Sequence, residues 1–598
     1  MITALLVMGS MLNAALPPLH VQGKSFVDGS GKKVVLKGCN VGNWLVNEFW
    51  MWGLGNRPHV PGDQYSLEQL LTKRFGTAED ERLMNLLRTS WMGPRDWNNI
   101  KTYGFNLVRV PFNYRLLEDD ARPKQLRADA WRWIDEAVDQ AEKHGLYVIL
   151  DLHGVQGGQT MNDHTGRSGQ NKLWSVPENQ ERMAWLWTKI AQRYRKRSAV
   201  IAYDPINEPY GGEKPQVVAV FSKAYDAIRS VDPDKLIFAP GHYDNFDHYG
   251  DPKDHGWHNV GIQMHYYPGM FGDSPKVKSN LRHLNSLKAV AAKIDRLNVP
   301  FLVGEMNVVM KSTGGATMMR QYFDAHASYG WLTTMWSYKV ITDEGGTAGG
   351  SWGMFTNADK AIGVDFETSP ESEIESYFRS FATQKLMAYK ELQYALATPN
   401  PVLEPLPAEK LPRTKAPKDD VLSGWTTTDI GDSLRGGLVL GDGGAFDLYG
   451  GGDDIWAERD QFRFLHKNAS GDFQLSVTVA TVEETGMYTK AGLMIRSSLN
   501  PDAPCLVLSI FPSGECEVAL RDASGAKMAG IANTRGGLPN AKMSIVRNGD
   551  TFILEVNSKE VLRRAFPTFT GPVLVGPFAL SHDNGDLTKI GYKDLSLK

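Results

Sequence analysis

The chain has 598 residues, too many for one hydrophobic core, so two or more domains are expected. Apolar residues make up 42%, charged residues 22%, and the net charge is −3. That balance excludes a disordered chain, a multi-span membrane protein and the basic footprint of a nucleic-acid binder. A neutral partner fits better. The 16 Trp and 21 Tyr offer flat apolar faces with polar handles, which suit sugar rings or the packing of a large barrel.

Residues 1–19 form an apolar run that ends in small residues and prolines, like the exit of a secretory signal without its charged start. The other reading is the N-terminal segment of a cytosolic protein. The run is too short for a membrane span, and a secreted or extracytoplasmic monomer is expected.

From 20 to 398, β-rich runs alternate with helical patterns. The runs are 34–41, 106–111, 146–152, 200–207, 235–240, 261–266, 300–305 and 331–338. Between them lie stretches such as 128–145, 178–197 and 279–298, with apolar residues three and four apart. Gly145 stands where a helix C-cap is wanted. Eight such units predict an α/β fold, a (β/α)8 TIM barrel. A doubly wound open sheet would put a glycine-rich phosphate loop after its first strand, and none is present.

Residues 399–418, with six prolines between 399 and 417, read as a semi-rigid linker or as a strap packed along the barrel. Beyond it, 419–598 shows about a dozen short alternating runs punctuated by Gly, Asn and Asp, an all-β sandwich pattern. A hairpin turning near Ser513 would pair Cys505 with residue 521 rather than Cys516, so Cys39, Cys505 and Cys516 are expected to form no disulfide.

In a TIM barrel, working groups sit where strands end. Those ends carry Arg109, His153, Asn207-Glu208-Pro209, His265 and Tyr267, Gly304-Glu305, and Trp336. Glu208 and Glu305 close the fourth and seventh strands, across the mouth from each other. Paired carboxyls about 5–5.5 Å apart cleave glycosidic bonds with retention, and a wider pair inverts. Either glutamate alone could be an ordinary loop acid; the ring of partners in strand order is what singles them out.

That ordered set resembles glycoside hydrolase family 5, in the clan of barrels with glutamates on strands 4 and 7. The resemblance implies Glu208 as acid/base and Glu305 as nucleophile. Asn207 would hold the substrate 2-hydroxyl, and Arg109 and Tyr267 would bond Glu305 and keep it charged. His153 and His265 would line the −1 subsite over a Trp336 floor. The segment 38–48, GCNVGNWLVNE, resembles that of fungal exo-β-1,3-glucanases. There Glu48 would grip the terminal sugar and favour exo action on β-glucan or β-glucosides. Cys39 and Asn43 depart from the usual small residues. Trp50 and Trp52 form either an aromatic wall or local packing.

Endo-β-glucanase, mannanase and glycolipid-cleaving relatives are the enzymatic alternatives, and a non-catalytic carbohydrate-binding protein is the alternative of another class. His153, Asp163 and His164 match no common zinc spacing, so no metal is expected, and two carboxyls with water need no cofactor. Residues 450–464 and 490–496 resemble concanavalin-like β-sandwich modules of bacterial hydrolases, which either bind carbohydrate or brace the barrel.

Overall fold

The structure is a computed structural model. It describes residues 15–54, 59–242, 245–268, 277–308, 314–343, 352–405, 422, 424–431, 436–441, 444–486 and 488–598. Most of the apolar run at 1–19 and of the proline-rich stretch at 399–418 therefore lies outside the described residues. Two compact units are resolved, one through Met1–Phe271 and Leu287–Pro407, the other through Gly272–Ser286 and Ala408–Lys598.

The first unit is a closed barrel of eight parallel strands. They are β1 (Lys37–Asn40), β2 (Leu107–Asn113), β3 (Tyr147–Gly154), β4 (Val200–Asp204), β5 (Leu236–Pro240), β6 (Val260–Tyr266), β7 (Phe301–Met306) and β8 (Leu332–Met335). Each pairs with the next, and β8 closes onto β1 through Thr333 with Lys37 and Met335 with Cys39. Every predicted run overlaps one of these strands, because a sheet covered on both faces leaves continuous apolar runs in the sequence. The boundaries differ at working positions. β4 stops at Asp204 and β8 at Met335, so Asn207, Glu208 and Trp336 stand just past their strands.

Helices cover the outside of the barrel. Arg132–Lys143 buries Trp133, Ile134, Ala137, Val138 and Ala141, the stripe that spacing of three and four produces. Just beyond its end Gly145 takes φ +66°, a conformation that costs glycine little. The bottom of the barrel is apolar. A hairpin of His20–Gln22 and Ser25–Val27 packs there with Leu36, Leu107, Ile149 and Phe238. The top is polar, and that is where the site lies.

Within the described residues the second unit has two seven-stranded antiparallel sheets. Leu475, Leu493, Leu506, Leu508, Val518, Ile545 and Leu554 belong to its main apolar core. Cys505 pairs with Arg521 and Cys516 with Ile510; both cysteines, like Cys39, are buried and free. Among the described residues no helix is long and apolar enough to cross a membrane.

Candidate active site

Six barrel strands aim side chains at one point, and Arg109 is its hub. The guanidinium is fully buried. Nη1 donates to Glu305 Oε1 at 2.8 Å and to Asn40 Oδ1 at 3.0 Å. Nη2 donates to Asn207 Oδ1 at 2.8 Å, and Nε to Asp204 Oδ2 at 2.9 Å. Asp151 Oδ2 lies 3.1 Å from Nη2. A buried cation survives only when paired and hydrogen-bonded, and this one has three carboxylates. Burial alone would lower the Arg109 pKa; Asp151, Asp204 and Glu305 outweigh it, and the net direction is up. Burial lifts Asp151 well above the usual carboxylate range and Asp204 to about 8, against the pull of Arg109.

Glu305 ends β7. Its second oxygen, Oε2, accepts from the Tyr267 hydroxyl at 2.7 Å. The preceding Gly304 cannot be larger, since a Cβ there would come within 2.4 Å of Gln263 Oε1 and 3.0 Å of His265 Nε2.

Glu208 faces it from the loop after β4, at φ +41°, a left-handed conformation uncommon for a glutamate. Its Oε1 shares a 2.8 Å hydrogen bond with His265 Nδ1, and His164 Nε2 stands 3.6 Å from Oε2. One carboxylate oxygen of Glu208, one of Glu305 and a ring nitrogen of His265 all lie within 4.8 Å of one another. These three are also donors a metal ion would accept. However, Glu305 is already held by a guanidinium and a hydroxyl, and a second cation beside Arg109 would be repelled.

Asn207 and His153 stand beside this pair. Asn207 Nδ2 is 3.3 Å from His153 Nε2, and His153 Nδ1 bonds Asp151 Oδ2 at 2.7 Å. Gln159 donates to the carbonyls of both His153 and Asn207, pinning the loops after β3 and β4 together. The Trp336 ring stacks on His153 with centroids 5.5 Å apart. Burial pushes His153 and His265 down to about 3, so both rings are neutral in ordinary buffers.

The loop after β1 brings Glu48 to the rim. Asn43 sits at φ +61°, which asparagine tolerates, and its Oδ1 accepts from the Glu48 backbone N–H at 2.7 Å. Trp50 Nε1 donates to Glu48 Oε2 at 2.8 Å. Burial raises the Glu48 carboxyl to about 8, against the pull of that Trp50 bond, with Asp163, Glu305 and Glu208 adding to the rise.

The two tryptophans divide. Trp50 lines the mouth with Trp352, centroids 5.6 Å apart, whereas Trp52 is fully buried against Phe49, Phe378 and Phe381. The wall is therefore Trp50 with Trp352, and Trp52 is packing. All nine candidates from the sequence come to this mouth. Asp151, Asp204, Gln159, His164 and Trp352 were not singled out for it. His164 and Gln159 belong to the stretch 153–166 after β3, which the sequence offers as a substrate-lining loop in preference to a metal site, without marking either residue.

Residues 79–340 match the family model described as Cellulase (glycosyl hydrolase family 5). The chain is 32% identical over 257 residues to a protein named Beta-xylosidase from Phanerodontia chrysosporium, covering 42% of this chain and 52% of that one. It is 26% identical over 280 residues to a probable glucan 1,3-beta-glucosidase A from Aspergillus fumigatus, covering 45% and 64%. The match thus spans between half and two thirds of these relatives' length. Among solved structures, endoglucanase Cel5A from Thermotoga maritima aligns with TM-score 0.39 and 16% identity, over 60% of this chain and 96% of that one.

Proposed function

From a barrel that carries the family 5 glycosyl hydrolase pattern over residues 79–340, we propose that this chain is a retaining β-glycoside hydrolase acting by double displacement. The observation that carries the reading is the approach of Glu208 and Glu305 oxygens to within 4.8 Å, too close for the water an inverting enzyme inserts.

Each step uses groups already in place. Glu208 protonates the glycosidic oxygen while the Glu305 carboxylate attacks the anomeric carbon. The bond to the leaving group breaks and a glycosyl ester forms on Glu305. Water then attacks that carbon, Glu208 takes its proton, and Glu305 leaves as a carboxylate with β configuration restored. Arg109 and Tyr267 hold the nucleophile oriented, and His265 positions the acid. Asn207 is within reach of the sugar 2-hydroxyl, His153 lines the subsite, and Trp336 is the floor.

Glu48 with Trp50 at the rim supports an exo mode releasing glucose from β-glucan or β-glucosides. The β-xylosidase likeness favours a second reading, that xylose is accepted at the same subsite. The apolar start of the chain fits action outside the cytoplasm, by a monomer with a catalytic barrel at 20–398 and an accessory domain at 419–598.

Glu305→Gln is expected to lower turnover of an aryl β-glucoside by about 10⁴-fold or more while circular dichroism stays unchanged. Unchanged turnover would remove the nucleophile assignment. Glu208→Ala with azide should yield a β-glycosyl azide. Laminarin oligomers should release glucose, and internal fragments alone would refute the exo mode.

A further inference from the structure

The sandwich carries a cluster that the barrel chemistry does not use. It lies on the outward face of the sheet containing Lys490–Arg496, Cys505–Ile510 and Glu515–Arg521. On these strands Leu493, Leu508 and Val518 point into the core, so by alternation Lys490 and Glu517 point out.

Two large aromatic rings flank the cluster, Trp456 at 43% and Tyr488 at 48% exposure. Between them the groups form a connected string. Lys490, whose side chain is buried, donates its ammonium to Asp454 Oδ1 and fixes that carboxylate from below. Asp454 Oδ2 lies 3.5 Å from His582 Nε2, and the His582 ring lies 5.3 Å from that of Tyr488. His582 sits at φ +57° in the turn before the last strand. At the other end, a Cβ on Gly530 would come 3.1 Å from Glu517 Oε1 and 3.4 Å from the Trp456 ring. Glycine at 530 is what leaves the space beside that carboxylate and that ring open.

The chemistry selects among ligands. Lys490 and Asp454 offset each other, so the patch presents no strong field to a polyanion or a basic chain. Carboxylates accept from hydroxyls, the imidazole donates to them, Lys490 holds Asp454 in place, and the two rings cover apolar sugar faces. We propose that Trp456, Tyr488, Asp454, Lys490, Glu517 and His582 form a binding site for a neutral polysaccharide chain on the sandwich. The assignment deepens the carbohydrate-active reading of the chain and rests on it, yet uses none of the barrel residues.

The test is native affinity electrophoresis of the full chain carrying Glu305→Gln, so that no polymer is consumed, in gels containing laminarin, barley β-glucan, xylan or heparin. At least one neutral polysaccharide should retard the protein. Trp456→Ala with Tyr488→Ala should weaken that retardation about tenfold per ring. Gly530→Val, which keeps both rings but fills the gap, should weaken it too. With Glu305 intact, both variants should turn over an aryl β-glucoside at the parent rate and melt at the parent temperature. Retardation by heparin alone, by nothing, or equally in parent and variants overturns the site. Failure of the barrel reading shows separately, as absent aryl glycoside turnover by the parent.

Discussion

The two units fill their interiors with opposite chemistry. Between the sandwich sheets the buried side chains are aliphatic and aromatic, and its deeply buried ion cluster lies on the outward face. There Asp460 is shared by Arg496 and Arg521. Down the axis of the barrel the order is reversed, with Asn40, Arg109, Asp151, Asp204, Gln263 and Glu305 buried on six of the eight strands. An apolar layer stabilises by area, and the loss of one member is felt locally. A charged layer stabilises only when complete, because a buried charge stripped of its partner costs several kcal/mol. The barrel thus places its chemistry where stability is conditional on every neighbour.

Breaking the charged layer at its hub should have the largest effect. Arg109→Met leaves three carboxylates around an apolar side chain and is expected to cost about 3–5 kcal/mol in denaturant unfolding, with turnover abolished. A cost near zero would end the contrast drawn above. Leu508→Ala in the sandwich should cost about 2–5 kcal/mol through the cavity it leaves, while kcat/KM on an aryl glycoside stays at the parent value. Tyr267→Phe removes one hydrogen bond to a charged oxygen, about 1.5–3 kcal/mol, and should appear as a roughly 10–100-fold fall in kcat/KM with the fold intact.

The gentlest probe is pH. Unfolded histidine titrates near 6.5, and buried His153 and His265 are pushed down to about 3. Between those values the unfolded chain binds more protons, so barrel stability should fall as pH falls from 6.5 toward 3. The slope is about 1.4 kcal/mol per pH unit for each histidine. Glu48, raised to about 8, acts the other way: the folded chain binds more protons between about pH 4 and 8, so stability falls as pH rises there. The two histidines outweigh Glu48 below 6.5 and Glu48 acts alone above it, so these groups together predict a barrel optimum near pH 6 to 7. In the sandwich, His582 and Lys490 overcome the opposing effect of burial and pull Asp454 down to about 2. Its contribution is lost only below pH 3.8. Unfolding followed at separate pH values by tryptophan fluorescence would expose a barrel lacking that optimum.

The strands and the rim were legible in the sequence for one reason: buried parallel strands leave apolar runs, and working residues stand at their ends. The interior layer was not. Asp151 and Asp204 sit inside those runs, and what makes them important is Arg109, 95 positions from Asp204 in the chain. Nor does local pattern decide between Trp50 and Trp52. They flank Met51 at a three-residue helical turn, and only the neighbours Trp352 and Phe381 separate wall from core. Trp352 follows the last strand with no periodic context to flag it.

The hold that Asn43 has on the Glu48 backbone has an evolutionary consequence. The hub residues share bonds with one another, so a lineage can alter them only together. Glu48 and Trp50 lie instead on a loop held from outside the hub, by Asn43 on the Glu48 N–H, by Gln64 on the Asn47 N–H and by the bond of Trp44 to the Arg88 carbonyl. A change at Glu48 or Trp50 therefore alters the rim without removing a hydrogen bond of the Arg109 hub.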